Sequence, residues 1–304
     1  MSPRMHAILL GSALCAGAGQ FALADQPPAA TAQQALWQPL DLDAADSAVQ
    51  PVQFSEYADD GSPWDEPLVT DRPDFTEASS TVGRGVNQIE MGYTFFYDDR
   101  ESDGAIVREH SAPEIIYRRG LTDGAELRLG WNYTWERTQL GGAADTVDGA
   151  NDLYVGTKLD VAQGHCLVPE QAVVLQWFVP TGADAFTTDE VEFGVNYLYS
   201  WELANDWSLA GSTGFDTLTE GEDDSVVWHQ SVAVGVPLSD CWGMYGEYFG
   251  LYDTQRAVNV DQHFINGGLT YLVNYNLQLD FRAGIGLNDD STDFFAGTGA
   301  SFRF

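Results

Sequence analysis

Basic residues are scarce: 13 lysines and arginines stand against 46 aspartates and glutamates, a formal net charge of −33. Nucleic acids and anionic membrane surfaces are recognised by basic patches, so a chain this acidic is not expected to bind nucleic acid. Long apolar runs are missing as well. After residue 24 none reaches the ~18 residues of a membrane-spanning helix. Cysteine is rare, with 3 in the chain. No paired-cysteine motif, histidine cluster or glycine-rich phosphate loop is present, so neither a metal nor a cofactor is expected.

What is present begins with an export signal. Arg4 precedes an apolar stretch at 7–14, and Ala22-Leu23-Ala24 has the small-residue pattern of a cleavage site, so residues 1–24 read as a signal peptide. Residues 25–66 are rich in Ala, Gln, Pro and Asp without a sustained period and read as a disordered acidic leader. An exported chain without an apolar helix can still cross a membrane, but only as a closed barrel.

From residue 87 the hydropathy alternates with period two, the signature of half-buried strands. Twelve strands are expected at about 88–97, 109–118, 126–136, 151–161, 171–179, 190–202, 207–218, 226–236, 242–252, 262–273, 276–287 and 293–304. In the third, Leu127, Leu129, Trp131, Tyr133 and Trp135 oppose Glu126, Arg128, Gly130, Asn132 and Thr134. The ninth is aromatic on both faces, which leaves its direction open. Connections alternate between long acidic loops, such as 140–150 and 180–189, and tight turns, such as 274–275. An even strand number, strands of ~9–11 residues and aromatics near strand ends describe an all-β, transmembrane antiparallel barrel of the bacterial outer membrane. A soluble β-sandwich or lipocalin-like barrel is the competing fold, with the same alternation turned inside out. The last strand ends in Phe302 and Phe304, expected to serve as the signal read by the barrel-assembly machinery.

Between leader and barrel lies a pre-strand segment, residues 67–86. Asp71, Arg72, Pro73 and Asp74 form a dense polar knot there. This segment reads either as a plug or mouth lining, with Asp71, Arg72 and Asp74 as its candidates, or as a capped linker.

On the polar strand faces, the candidates to line a lumen are Glu90, Glu114, Glu126, Arg128, Asp152, Lys158, Glu190, Glu192, Asp216, Glu247, Asp280, Arg282 and Arg303. An acid-biased lumen favours cations or neutral solutes, whereas a small barrel filled by its own side chains conducts nothing. Asp280 and Arg282, two apart on one face, are expected to pair with each other. His229-Gln-Ser231 has the His-x-Ser spacing of a barrel phospholipase, but both residues are expected inside the lumen, away from lipid. No catalytic residue is assigned. Cys166 and Cys241 fall in turns on the periplasmic side, where export permits a disulfide without requiring one.

Several short motifs carry a resemblance. Thr70-Asp-Arg-Pro-Asp-Phe-Thr76, Val179-Pro-Thr-Gly182 and the run from Leu279 through Asn288 to Asp293-Phe-Phe-Ala-Gly-Thr-Gly299 resemble a family of outer-membrane barrels. It is named after the meta-cleavage pathway of phenol degradation, and its members are taken to be transporters. The resemblance covers about residues 68–304. It implies an outer-membrane β-barrel surrounded by lipid, passing a small solute, aromatic or hydrophobic compounds being among the candidates. A non-transporting surface barrel acting as scaffold or adhesin is the alternative.

Overall fold

A computed structural model describes residues 62–100, 103–220, 223–253 and 260–304. The expected signal peptide and residues 25–61 of the expected leader lie outside them.

The described chain is one sheet of strands β1 (Asn87–Arg100), β2 (Ala105–Thr122), β3 (Ala125–Leu140), β4 (Ala143–Ala150), β5 (Leu153–Ala162), β6 (Glu170–Val179), β7 (Glu192–Glu202), β8 (Ser208–Glu220), β9 (Asp223–Pro237), β10 (Trp242–Asp253), β11 (Val260–Asn274), β12 (Leu277–Gly286) and β13 (Phe294–Arg303). All pairings are antiparallel. The sheet closes where β13 returns to β1, with Gln88 opposite Arg303 and Tyr97 opposite Phe294. At the foot of this seam Asn87 and Phe304 exchange both backbone hydrogen bonds, at 3.1 and 2.8 Å. β4 and β5 share one place in the ring, β4 pairing with the outer half of β3 and β5 with its inner half. The result is a closed barrel of twelve strands.

The alternation decides which face is which. Met91, Trp131, Leu279 and Phe281 are exposed on the outside, whereas Glu90, Glu126, Arg118 and Lys158 are fully buried within the ring. A soluble barrel would do the reverse, because apolar surface must leave water and charges must not. Pleating then sends every second side chain to the lumen. In β2 a bulge between Ser111 and Glu114, facing a register shift between Gly92 and Thr94 of β1, resets this alternation. Without the one extra residue Glu114 would point at lipid; with it Glu114 points inward.

Four expectations need correction. Several strands run well beyond the expected ~9–11 residues that cross a bilayer: β2 has 18 and β3 has 16. Residues 140–150 are not a loop, since β3 and β4 continue outward as a hairpin that turns at Gly141 and Gly142. Both glycines have positive φ (54° and 89°), as a tight two-residue hairpin turn demands. Glu190 precedes the start of β7 and is exposed, so it does not line the lumen. Asp152 lies in the break between β4 and β5 and accepts bonds from Thr181 N, Gly182 N and Thr187 Oγ1 (3.0, 2.8 and 3.1 Å), tying the loop after β6 to the wall. The ambiguous ninth strand is β10: Tyr245, Glu247, Phe249 and Leu251 turn inward and are buried, while Trp242 and Met244 are exposed outside.

Candidate functional site

The interior divides into two layers. Toward the periplasm it is charged, toward the cell exterior an apolar cluster shares the lumen with buried carboxylates such as Glu109, Glu136 and Glu192, and residues 68–82 run through both.

Asp71 and Arg72 carry the charged layer. The Asp71 carboxylate faces three cations: Lys158 Nζ at 2.8 Å, Arg118 Nη1 at 3.1 Å and Arg128 Nη2 at 3.1 Å. Arg72 reaches the opposite wall. Its Nη1 donates to Glu114 at 2.9 Å, and its Nη2 and Nε fork onto the two oxygens of Asp280 at 3.2 and 3.3 Å, the bidentate geometry that suits guanidinium and carboxylate. Glu90 accepts the backbone amides of Asp71 and Arg72 at 3.0 and 3.1 Å. It also receives Arg118 Nη1 at 2.9 Å, while Arg118 Nε bonds Glu126 at 2.9 Å. Burial alone would push the Asp71 carboxyl up, but Arg118, Lys158 and Arg128 outweigh it and hold the group well below the usual carboxylate range.

Further along, Glu247 accepts the amides of Phe75 and Thr76 at 2.8 and 2.6 Å. Arg128 forks onto Glu77 at 2.7 and 2.6 Å. Arg282 Nη1 donates to the Pro73 carbonyl at 3.0 Å, Ser79 Oγ to Glu170 at 2.6 Å, and the Val82 amide to Glu126 at 2.8 Å. At the mouth Arg303 donates to the Glu66 carbonyl and lies over the Trp64 ring at 5.3 Å. Nearly all of this attachment uses side chains of the wall. Among the described residues, the one backbone-to-backbone bond joining residues 62–82 to the barrel runs from Leu68 N to Tyr275 O, at 2.8 Å.

Room for Arg72 comes from two inward glycines. Gly92 of β1 and Gly299 of β13 face each other across the seam. A Cβ on either would run into the Arg72 guanidinium, so the seam is hollowed where the cation crosses it.

The apolar layer gathers Phe96, Leu218, Val227, Phe249, Leu251, Phe264 and Phe295, with Phe75 of the segment packed against them. Their inward positions follow from the same alternation. Beside this layer, Asp216 accepts Gln176 Nε2 at 2.6 Å, and His229 Nε2 lies 3.6 Å from Asp216 Oδ2.

The structure brings Glu90, Glu114, Glu126, Arg128, Lys158, Glu247, Asp280 and Arg282 together around the segment. Glu192 sits apart near the outer rim, where it accepts the Thr219 amide at 3.0 Å. Asp280 and Arg282 do not pair with each other as expected. Asp280 binds Arg72, while Arg282 bonds Pro73 and Thr94. Ser231 Oγ contacts Thr76 and Ser212 at 2.6 and 2.7 Å rather than His229. Cys166 and Cys241 are free and exposed. Arg118, inward as the alternation of its strand face expects, is the hub of the charged layer; the apolar layer was missed in the sequence.

A ring of antiparallel strands, apolar outside and charged within, defines an outer-membrane β-barrel. The chain belongs to the family described as "Putative MetA-pathway of phenol degradation", which it matches over residues 70–304. No curated protein sequence matches it. Among solved structures it is similar to the COG4313 outer membrane channel from Pseudomonas putida F1, with a TM-score of 0.62 and 12% identity over 77% of this chain and 100% of that one. The translocator domain of the autotransporter NalP from Neisseria meningitidis has a TM-score of 0.51 and 12% identity, over 73% and 89% of the two chains. At these identities the likeness is one of fold.

Proposed function

We propose that this barrel is a passive outer-membrane channel for a small aromatic or hydrophobic solute, and that residues 67–86 form a plug that closes it. One observation carries the reading: residues 68–82 cross the lumen yet are held almost wholly by side chains of the wall, so they can leave without breaking a strand pairing. The lumen-lining roles go with this reading, as do export by residues 1–24 and recognition of Phe302 and Phe304 by the assembly machinery. The similar Pseudomonas barrel is itself described as an outer membrane channel, which supports the reading. Selection would rest on the two layers in series: a hydrated ion meets the apolar cluster, whereas an apolar solute passes it, and Arg118 stays paired with Glu90 and Glu126 of the wall when the segment leaves.

The test is conductance in planar bilayers, with heat-dependent gel mobility confirming a folded barrel. The mature chain is expected to conduct weakly. A chain lacking all residues up to 82 is expected to conduct several-fold more and to prefer cations, since Glu90, Glu114, Glu126, Glu247 and Asp280 then face Arg118, Arg128, Lys158 and Arg282 with an excess of acid. A folded, truncated barrel that stays closed would overturn the channel reading and favour a surface scaffold.

Closure is also expected to weaken as pH rises. Burial raises the Asp74 carboxyl well above the usual range, and Glu247 and Asp71 add to that rise, against the Asp74 backbone amide and Arg282. Tyr245 also faces it from β10. Once released to water, the group returns to an ordinary value. The docked form therefore holds a proton that the released form gives up. Docking gains its full stability below the released pKa and loses it as pH rises toward the raised, docked value. The open fraction should climb over that window, and Asp74→Asn should flatten the climb. An equally steep climb in Asp74→Asn would assign the effect to another group.

A further inference from the structure

Phe75 stands where a planar ligand would stand. Its ring lies flat on Phe249, with centroids 4.5 Å apart and planes 5° from parallel, and Phe249 stacks in turn on Phe264 at 4.7 Å and 18°. Phe295 closes one side, 6.1 Å from Phe264 at 69°. The His229 ring meets Phe75 edge-on at 5.9 Å and 78°. Aromatic pairs of this geometry add to what burial alone contributes. The arrangement is a slot for one flat ring between a stacked floor and an edge wall, and a residue of the plug fills it.

The edge wall is incompletely satisfied. His229 is buried, with a side-chain exposure of 0%; its Nε2 lies 3.6 Å from Asp216 Oδ2, beyond hydrogen-bond distance, and neither ring nitrogen has a hydrogen-bond partner. Buried polar groups without partners are uncommon and costly. A phenylalanine ring cannot supply the missing bond, but a ring carrying a hydroxyl can.

We propose that Phe75 is an internal occupant of a binding site for planar aromatic solutes bearing a hydrogen-bonding substituent. The solute ring takes the Phe75 position on Phe249, its substituent meets His229, and the displaced Phe75 loosens the plug. This rests on the channel reading and deepens it: arrival of solute in the apolar layer and release of the segment become one event. Phe75 competes with the solute, so the apparent affinity of the intact chain is lowered by the fraction of time the slot is filled.

The test uses 4-fluorophenol, followed by fluorine NMR on the full mature chain in micelles, with protein-free micelles as the blank. Phe75→Ala is expected to bind the probe at least ten-fold more tightly than the unsubstituted chain. Adding Phe249→Ala should abolish the gain. Fluorocyclohexane, neither flat nor hydrogen-bonding, should show no such gain. In bilayers the probe should raise the open fraction of the unsubstituted chain and leave Phe75→Ala indifferent. A folded Phe75→Ala chain that binds the probe no better than the parent overturns the proposal, as does an equal gain for fluorocyclohexane. The two readings fail separately. If the truncated barrel stays closed while Phe75→Ala still gains ten-fold, transport falls and the site stands. If it conducts and no gain appears, the site falls and transport stands.

Discussion

Replacing Asp71 by alanine is expected to open the barrel more than any other single change. The substitution removes the one anion shared by Lys158, Arg118 and Arg128. Arg118 keeps Glu90 and Glu126, and Arg128 keeps Glu77. Among the described residues Lys158 keeps only the Ala78 carbonyl, at 2.8 Å, so a buried ammonium is left without a counter-charge. Removing one partner of a buried ion pair costs roughly 3–5 kcal/mol. Charged against docking rather than folding, that is about 150- to 5,000-fold in the ratio of open to closed barrels. Single-channel recording reads it directly. Asp71→Leu combined with Lys158→Met should recover part of the closure, because an apolar pair of similar bulk leaves no orphaned charge. If Asp71→Ala conducts like the parent, the shared-anion account of docking is wrong.

Gly92→Val is the second large effect, and it reaches the same end by volume instead of charge. The new side chain claims the space of the Arg72 guanidinium at the seam. That group is the far end of a flexible side chain and can move, but moving breaks the fork onto Asp280 and the bond to Glu114. Overpacking costs roughly 1–3 kcal/mol, and two carboxylates are then left facing the lumen without their cation. The open fraction should rise by about 5- to 150-fold, with cation preference increased. Gly246→Val is the control: a Cβ there meets nothing within 4 Å, and its conductance should match the parent. Equal behaviour of the two valine variants would show that Arg72 is not what the hollow accommodates.

Much of this architecture can be read from alternation alone. In β1, Ile89, Met91, Tyr93 and Phe95 against Gln88, Glu90, Gly92 and Thr94 show both that a strand exists and which side chains share a face. Alternation carries no information about partners. Asp280 and Arg282 look like a pair because they are neighbours on one face, yet the cation that reaches Asp280 is 208 residues away in sequence. Its position depends on barrel closure, which no local pattern encodes. The outer hairpin was illegible for a different reason. Both faces of β4 are mostly exposed, so no apolar period marks it, and the signal that was available, the Gly141-Gly142 pair, lay in an acidic stretch that resembled a loop. The apolar layer was hidden by the rule that worked elsewhere. Phe96, Phe249, Phe264 and Phe295 sit on the inward faces, where a polar lumen was expected.

The joint between the segment and the first strand has a consequence for timing. Gly85 and Val86 are bonded to Gly120 of β2, by Gly85 N to Gly120 O and Gly120 N to Val86 O, both at 3.0 Å. This fastens the root of the segment to the rim independently of everything deeper. A stretch that leaves the lumen thus remains leashed a few residues from its berth. Short flexible leashes give effective concentrations in the millimolar range, so rebinding is intramolecular and needs neither an energy source nor a second protein. Each opening would be brief and self-terminating, and the duty cycle of the pore would be set by the length of the leash as much as by the strength of the contacts it restores.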